Sequence, residues 1–193
     1  MTHRDTPSAS PRPQDTSLQC FGATLRRYRQ QRRLTQPALA ARTGIHHTYI
    51  SEIEHGLHNI AVLMLLRLAQ ALEMPAAHLL APLDTHATLA PPVAYDLLVS
   101  GEARDAGGTH DDLSSSQPGD PARLLRQLGA TLHHYRQQRH LSQRALAARA
   151  SLAASYICDI EQGQRNLSML SLLRIAEALE LSVAHLLAPL ETR

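Results

Sequence analysis

The chain has 193 residues, 19 Lys+Arg against 17 Asp+Glu, 3% aromatic side chains and no Trp. Its cores must therefore come from Leu, Ile, Val and Ala, which suits short packed helices and does not suit a β-sandwich. No apolar run reaches the ~18–20 residues of a membrane span, and Thr2 to Ser17, rich in Pro, Ser, Thr and Asp, lacks the apolar centre of a secretion signal.

The sequence contains itself twice. Gly22 to Leu83 aligns without a gap on Gly129 to Leu190 at an offset of 107, with 37 of 62 aligned pairs identical. A repeat of this length is too long for a solenoid unit and long enough for a small core of its own. The expected organisation is a disordered tail over 1–17, a first domain over 18–83, an acidic linker over 84–121 and a second domain over 122–190. Charge follows the same division. Residues 22–83 carry seven Arg against three Glu, residues 129–190 six Arg against four acids, and residues 84–121 seven acids against Arg104. Two basic modules on an acidic connector point to a polyanionic partner for the modules. Cys20 and Cys158 occupy non-equivalent places in the repeats, so reduced thiols in a cytoplasmic protein are expected.

In chain order, Leu18, Phe21, Leu25 and Tyr28 recur at helical spacing and predict a first helix ending near Arg33. Thr35 is a natural N-cap for a second, over Gln36 to Thr43, with Pro37 harmless in its first turn and Gly44 as the stop. Ile45 begins a third, running through Ile50, Ile53 and Glu54 to Gly56. Asn59 is expected to cap a fourth, carrying Val62, Leu65, Leu66, Ala69 and Leu72. Pro75 opens a short fifth helix that Pro82 ends. The connector follows; its later half is dense in Gly, Ser, Asp and Pro, as a solvated linker is, around an apolar island at Tyr95 to Val99 that either packs on a module or recognises another protein. The second copy repeats the five-helix pattern, making the fold class all-α with a helix-turn-helix in each half.

At this point the residues resemble a family. Leu25…Arg29, Leu34-Thr35-Gln36, Leu39-Ala40, Gly44, Ile50-Ser51-Glu52-Ile53-Glu54-His55-Gly56, Asn59 and Ala69-Gln70-Ala71-Leu72 are similar to the Cro/C1 (lambda-repressor-like, XRE) DNA-binding domain. So are Leu132…Arg136, Leu141-Ser142-Gln143, Leu146-Ala147, Ile157-Cys158-Asp159-Ile160-Glu161-Gln162-Gly163, Asn166 and Ala176-Glu177-Ala178-Leu179. The resemblance implies tandem helix-turn-helix domains that bind double-stranded DNA. Gln36 and Gln143 would meet phosphate at the start of the second helix, and the third helix would enter the major groove. The matching exposed positions are His46, His47, Thr48, Ser51 and Glu52 in the first copy, and Ala153, Ala154, Ser155, Cys158 and Asp159 in the second, followed by Arg165. Arg29 with Glu54, and Arg136 with Glu161, match a buried ion pair of the family whose role is architectural.

The copies diverge on that surface. Ala153 cannot cap a helix as the family's usual Ser or Thr does, and Ala153-Ala154 offers a base only apolar contact. Asp159 suits DNA only as an acceptor from a cytosine amino group, and Ser151 stands where the first copy has Gly44. The first copy is thus expected to read more sequence than the second. Leu63 and Met64, with Leu170 and Ser171, occupy slots usually polar in the family and mark a face where modules or two chains meet, or else deeper burial. A flexible connector of 38 residues spans about 31–37 Å, against about 34–36 Å between half-sites one helical turn apart. One chain can therefore span what usually needs a homodimer.

Other chemistries find little support. His55 and His58, with His46 and His47 nearby, are replaced in the second copy by Gln162, Arg165, Ala153 and Ala154, and no Cys or carboxylate cluster completes a metal shell. Cys158 has no basic sequence neighbour to lower its pKa for redox sensing. No nucleophile motif or phosphate-cradling loop marks an enzyme, and neither a cofactor nor a small-molecule ligand is implied. The expected function is a sequence-specific transcriptional regulator, a repressor or autoregulator. A protein-protein adaptor or antitoxin-like partner on the same scaffold is the alternative.

Overall fold

The computed structural model describes residues 13–86 and 120–191. The Tyr95–Val99 island and residues 1–12 lie outside them. Ten α-helices are present among the described residues: α1 (Pro13–Gln31), α2 (Gln36–Thr43), α3 (His47–Glu54), α4 (Val62–Ala71), α5 (Ala76–Leu80), α6 (Pro121–Gln138), α7 (Gln143–Arg149), α8 (Ala154–Glu161), α9 (Met169–Ala178) and α10 (Val183–Glu191). Each copy supplies five. They group into two compact units, divided between Asn59 and Ile60. The first unit contains α1–α3; the second contains α4, α5 and the whole of the second copy.

In the first unit Phe21, Leu25, Leu39, Ile50 and Ile53 are fully buried, the apolar stripes of three short amphipathic helices. α1 starts five residues before Leu18, at Pro13. Helix α2 begins as its sequence predicts, with Thr35 Oγ1 accepting from Ala38 N at 3.2 Å, and ends at Gly44 in the left-handed region (φ 69°). Gly22 fixes the crossing of α1 over α3. A Cβ there would lie 2.5 Å from the Ile53 carbonyl oxygen and 2.6 Å from that of Glu54, so the two backbones touch. Gly129 does the same for α6 and α8, where a Cβ would meet the Glu161 carbonyl oxygen at 2.6 Å.

The second copy repeats this plan around buried Leu128, Leu132, Leu146, Ile157 and Ile160. Asp120 Oδ1 caps α6 through Ala122 N at 3.0 Å. Ser151 takes the conformation of Gly44 (φ 53°), a left-handed geometry that costs a side-chain-bearing residue about 1 kcal/mol. Pro82 ends α5 in a 3-10 turn (Ala81–Leu83), whereas its equivalent, Pro189, sits inside α10.

Asn59 does not cap α4. Ala61 holds that position with no side-chain bond, because Ile60 and Ala61 run extended before the helix starts. The extended stretch serves the second unit's main feature, a seam in which each element meets its own equivalent. Val62 N donates to Leu167 O at 2.9 Å and Met169 N donates to Ile60 O at 2.8 Å, with Ala61 and Ser168 facing as an antiparallel bridge. Ala61 and Ser168 are equivalents at the offset of 107, and the same offset turns each of the two bonds into the other, the signature of an isologous, two-fold interface. Asn166 Oδ1 crosses the seam to accept from Leu63 N at 3.3 Å, capping α4 from the other copy. α4 meets α9 and α5 meets α10. Asp84 Oδ2 accepts from Val183 N at 2.8 Å, at the start of α10, and its equivalent Glu191 Oε1 accepts from Ala76 N at the start of α5. The two acids thus cap each other's final helix, where the helix dipole favours negative charge. Leu63, Met64, Leu170 and Ser171, in the opening turns of α4 and α9, are half-buried.

Candidate nucleic-acid interface

The α2–α3 and α7–α8 pairs are each pinned by a buried charge cluster. Arg29 Nε donates to Glu54 Oε1 at 2.5 Å and an Arg29 terminal nitrogen to Oε2 at 2.9 Å; its other terminal nitrogen reaches Leu34 O at 2.8 Å. Arg136 makes the same fork to Glu161 (2.6 and 2.9 Å) and the same bond to Leu141 O (2.7 Å). Each arginine thereby ties its long helix both to the end of the third helix and to the turn before the second. Bidentate geometry satisfies charges that burial would otherwise strand.

Hydrogen bonding to Glu54 raises the Arg29 pKa, outweighing burial, and Glu161 does the same for Arg136. Burial pushes the Glu161 carboxyl up. Hydrogen bonds from Arg136, Gln143 and His133, with the charge of Arg136, more than offset it and hold Glu161 below its ordinary value.

Gln36 and Gln143 belong to these clusters, a role the sequence did not disclose. Gln36 Nε2 donates to Glu54 Oε2, and Gln143 Nε2 to Glu161 Oε2, both at 2.9 Å. Each glutamine is half-buried and is fixed through one N–H of its amide. The remaining N–H and the carbonyl oxygen stay available at the start of the helix, so the cluster orients the group the sequence assigns to phosphate.

On α3, His46, His47 and Thr48 are exposed, and Ser51 and Glu52 are half-buried on the same surface. His46 is the N-cap: its Nδ1 accepts from Thr48 N at 3.4 Å, with the Thr48 hydroxyl 2.7 Å away. The His46 and His47 rings lie 4.4 Å apart. On α8, Ala153 occupies the cap position without a side-chain bond, Ser155 is exposed, and Ala154, Cys158 and Asp159 are half-buried. Gln162 Nε2 donates to Cys158 Sγ at 3.2 Å.

The acidic residues of both helices are paired, which alters their electrostatic meaning. Glu52 Oε2 lies 2.8 Å from His58 Nε2, and the His58 ring sits 4.8 Å from that of Tyr49. In the second copy Arg165 donates to Asp159 Oδ2 at 3.1 Å, with its guanidinium 5.7 Å from the Tyr156 ring. Tyr49, Glu52 and His58 are the equivalents of Tyr156, Asp159 and Arg165. Each copy therefore holds its acid against a residue that lies beside a tyrosine, His58 in the first and the permanently charged Arg165 in the second. Asp159, which from sequence suits DNA only as an acceptor from a cytosine amino group, is paired with the arginine that follows α8. The signal was present, as a tyrosine in both copies with a basic residue nine positions on. No group of three or more His, Cys, Asp or Glu is placed to hold a metal among the described residues, and no single described helix is long and apolar enough to cross a membrane.

One relative is an uncharacterized HTH-type transcriptional regulator, y4dJ, of Sinorhizobium fredii, 38% identical over 63 residues, or 33% of this chain and 82% of that protein. A solved structure, the restriction-modification controller protein C.AhdI from Aeromonas hydrophila, is 37% identical and covers 32% of this chain and 94% of its own, with a TM-score of 0.32. The helix-turn-helix domain model matches residues 21–83 and again 127–189; with the motifs and the repeated α1–α5 and α6–α10 arrangements, this places the chain in the helix-turn-helix domain family, two domains in tandem.

Proposed function

We propose that the protein is a sequence-specific transcriptional regulator, acting as a repressor or autoregulator, in which one chain presents two helix-turn-helix domains to paired half-sites on duplex DNA. The observation that carries this reading is the seam. The hydrogen bonds from Val62 N to Leu167 O and from Met169 N to Ile60 O are equivalents of each other, and they join the two copies as a homodimer interface joins two chains. In this reading α3 and α8 enter successive major grooves, Gln36 and Gln143 anchor phosphate, and His47, Thr48, Ser51 and Glu52 face the bases. The second copy contributes Ala154, Ser155, Cys158 and the paired Asp159–Arg165, a surface poorer in donors and weaker in discrimination.

A protein-binding role for the second copy draws support from that same surface, since α8 has an uncapped, alanine-built start. The test is selection from a random duplex pool at about 0.15 M salt, coupled to mass measurement of the complex. Two unequal half-sites about ten base pairs apart, bound by one chain, uphold the proposal. A complex of two chains on one site removes the one-chain arrangement. The absence of any enriched sequence moves the adaptor reading to first place.

A further inference from the structure

The two copies share their buried clusters but differ in what surrounds them. In the first, α1, the turn before α2 and the end of α3 enclose a cleft of ≈ 520 Å³ whose lining includes Arg26, Arg33, Gln36, Ser51 and His55. Arg26, on α1, and Arg33, in the turn just past its end, are exposed, and neither has an acidic partner among the described residues. Arg29, at the cleft floor, is occupied by Glu54. No acid belongs to this lining, which keeps two permanent cations, Arg26 and Arg33, beside the amide of Gln36.

The equivalent positions of the second copy carry His133, His140 and Gln162 in place of Arg26, Arg33 and His55. His133 stays exposed but is engaged by the cluster, its Nδ1 3.1 Å from Glu161 Oε2 and 3.0 Å from a terminal nitrogen of Arg136. Arg144 stands where the first copy has Pro37, and gives this side one permanent cation against two.

Resting on the DNA-binding reading above, we propose that the first-copy cleft is a clamp for backbone phosphodiesters of duplex DNA, with Arg26 and Arg33 each neutralising a phosphate. This makes the first copy the anchoring half of the molecule. The cleft is open, the charge of its arginines is complementary to a polyanion, and guanidinium matches the bidentate geometry of phosphate oxygens. The second copy, with His133 and His140 in place of the two arginines and His133 engaged by Glu161, follows rather than anchors.

The experiment transplants one copy's residues into the other within the full chain. Arg26→His/Arg33→His gives the first copy the residues of the second, and His133→Arg/His140→Arg does the reverse. Arg33 and His140 both lie in the left-handed region (φ 54° and 53°), so neither exchange changes the backbone requirement. Affinity for a random-sequence duplex is measured between about 0.05 and 0.3 M salt, with the melting temperature as a check on folding. Each phosphate contact contributes about 0.9 to the slope of log K against log salt. The first variant should lose close to two units of slope and the second should gain slope. An unchanged slope in the first variant, with binding retained, overturns the clamp and leaves the DNA-binding reading standing. Absence of duplex binding by the unmodified chain overturns both.

Discussion

Replacing Arg136 by Met tests whether the α6–α7–α8 arrangement depends on a satisfied buried charge. The side chains of Arg136 and Glu161 are 7% and 4% exposed. Removing the guanidinium leaves the Glu161 carboxylate with Gln143 and His133 alone, and frees Leu141 O of its partner. Stranding a buried charge in this way costs about 3–5 kcal/mol. A module of this size has roughly 4–11 kcal/mol in all, at 0.05–0.15 kcal/mol per residue, so Arg136→Met should consume much of its stability. Arg136→Met/Glu161→Leu removes the stranded charge as well, and should return to within about 2 kcal/mol of the unmodified chain, since a well-packed apolar pair can replace an ion pair. Urea unfolding followed by far-UV circular dichroism, extrapolated to water, measures both. A single-variant loss below about 1 kcal/mol, or a double variant no more stable than the single, would refute the reasoning.

Three further outcomes follow from the same structure. Gly22→Ala should destabilise the chain by about 1–3 kcal/mol despite alanine's better helix propensity, because its Cβ would press on the Ile53 and Glu54 carbonyls, while Ala23→Gly on the exposed face should cost about 1 kcal/mol; thermal melts of the pair compare them. Ser151→Gly should raise stability by about 1 kcal/mol by relieving a left-handed residue, read as an increased urea midpoint. The pH dependence has two signs. Glu161, held below its ordinary value, contributes stability that is present above the unfolded carboxylate range and lost as pH falls through its folded value. Glu191 is raised by loss of hydration, against the opposing Ala76 N–H and the charge of His78, and its contribution is full at low pH and lost as pH rises through its folded value. Glu191→Gln should therefore flatten the rising-pH side of a stability profile, and Arg136→Met the acid side.

Local rules carried far in this chain because its helices are short and their ends are marked. Thr35, Pro37 and Gly44 bound α2 where the sequence places them, since capping and the left-handed stop are decided within a few residues. Asn59 misled for the opposite reason. Its cap would have been a local decision, but Ile60 and Ala61 are held extended by Leu167 and Met169, more than a hundred residues away. Reciprocal capping by Asp84 and Glu191 was hidden in the same way: each acid reads as a chain-end charge until the other copy's helix is placed against it. At the candidate interface, residue types were visible and pairings were not. The sequence set out Asp159 and Arg165 as independent groups, whereas a single contact makes them one neutral surface. Gln36 and Gln143 likewise read as outward-facing residues, and only the geometry ties them to Glu54 and Glu161.

A seam closed within one polypeptide also changes dose-response. When equivalent halves lie on separate chains, the paired species grows with the square of concentration at low abundance and vanishes below its dissociation constant. Here the halves joined through Ile60–Val62 and Leu167–Met169 share a tether, which holds them at an effective concentration on the order of millimolar however dilute the protein. Occupancy of a target should then follow a simple hyperbola in protein concentration, with no threshold set by assembly. A substitution on one half is also not mirrored on the other, so the two faces are free to drift towards different targets.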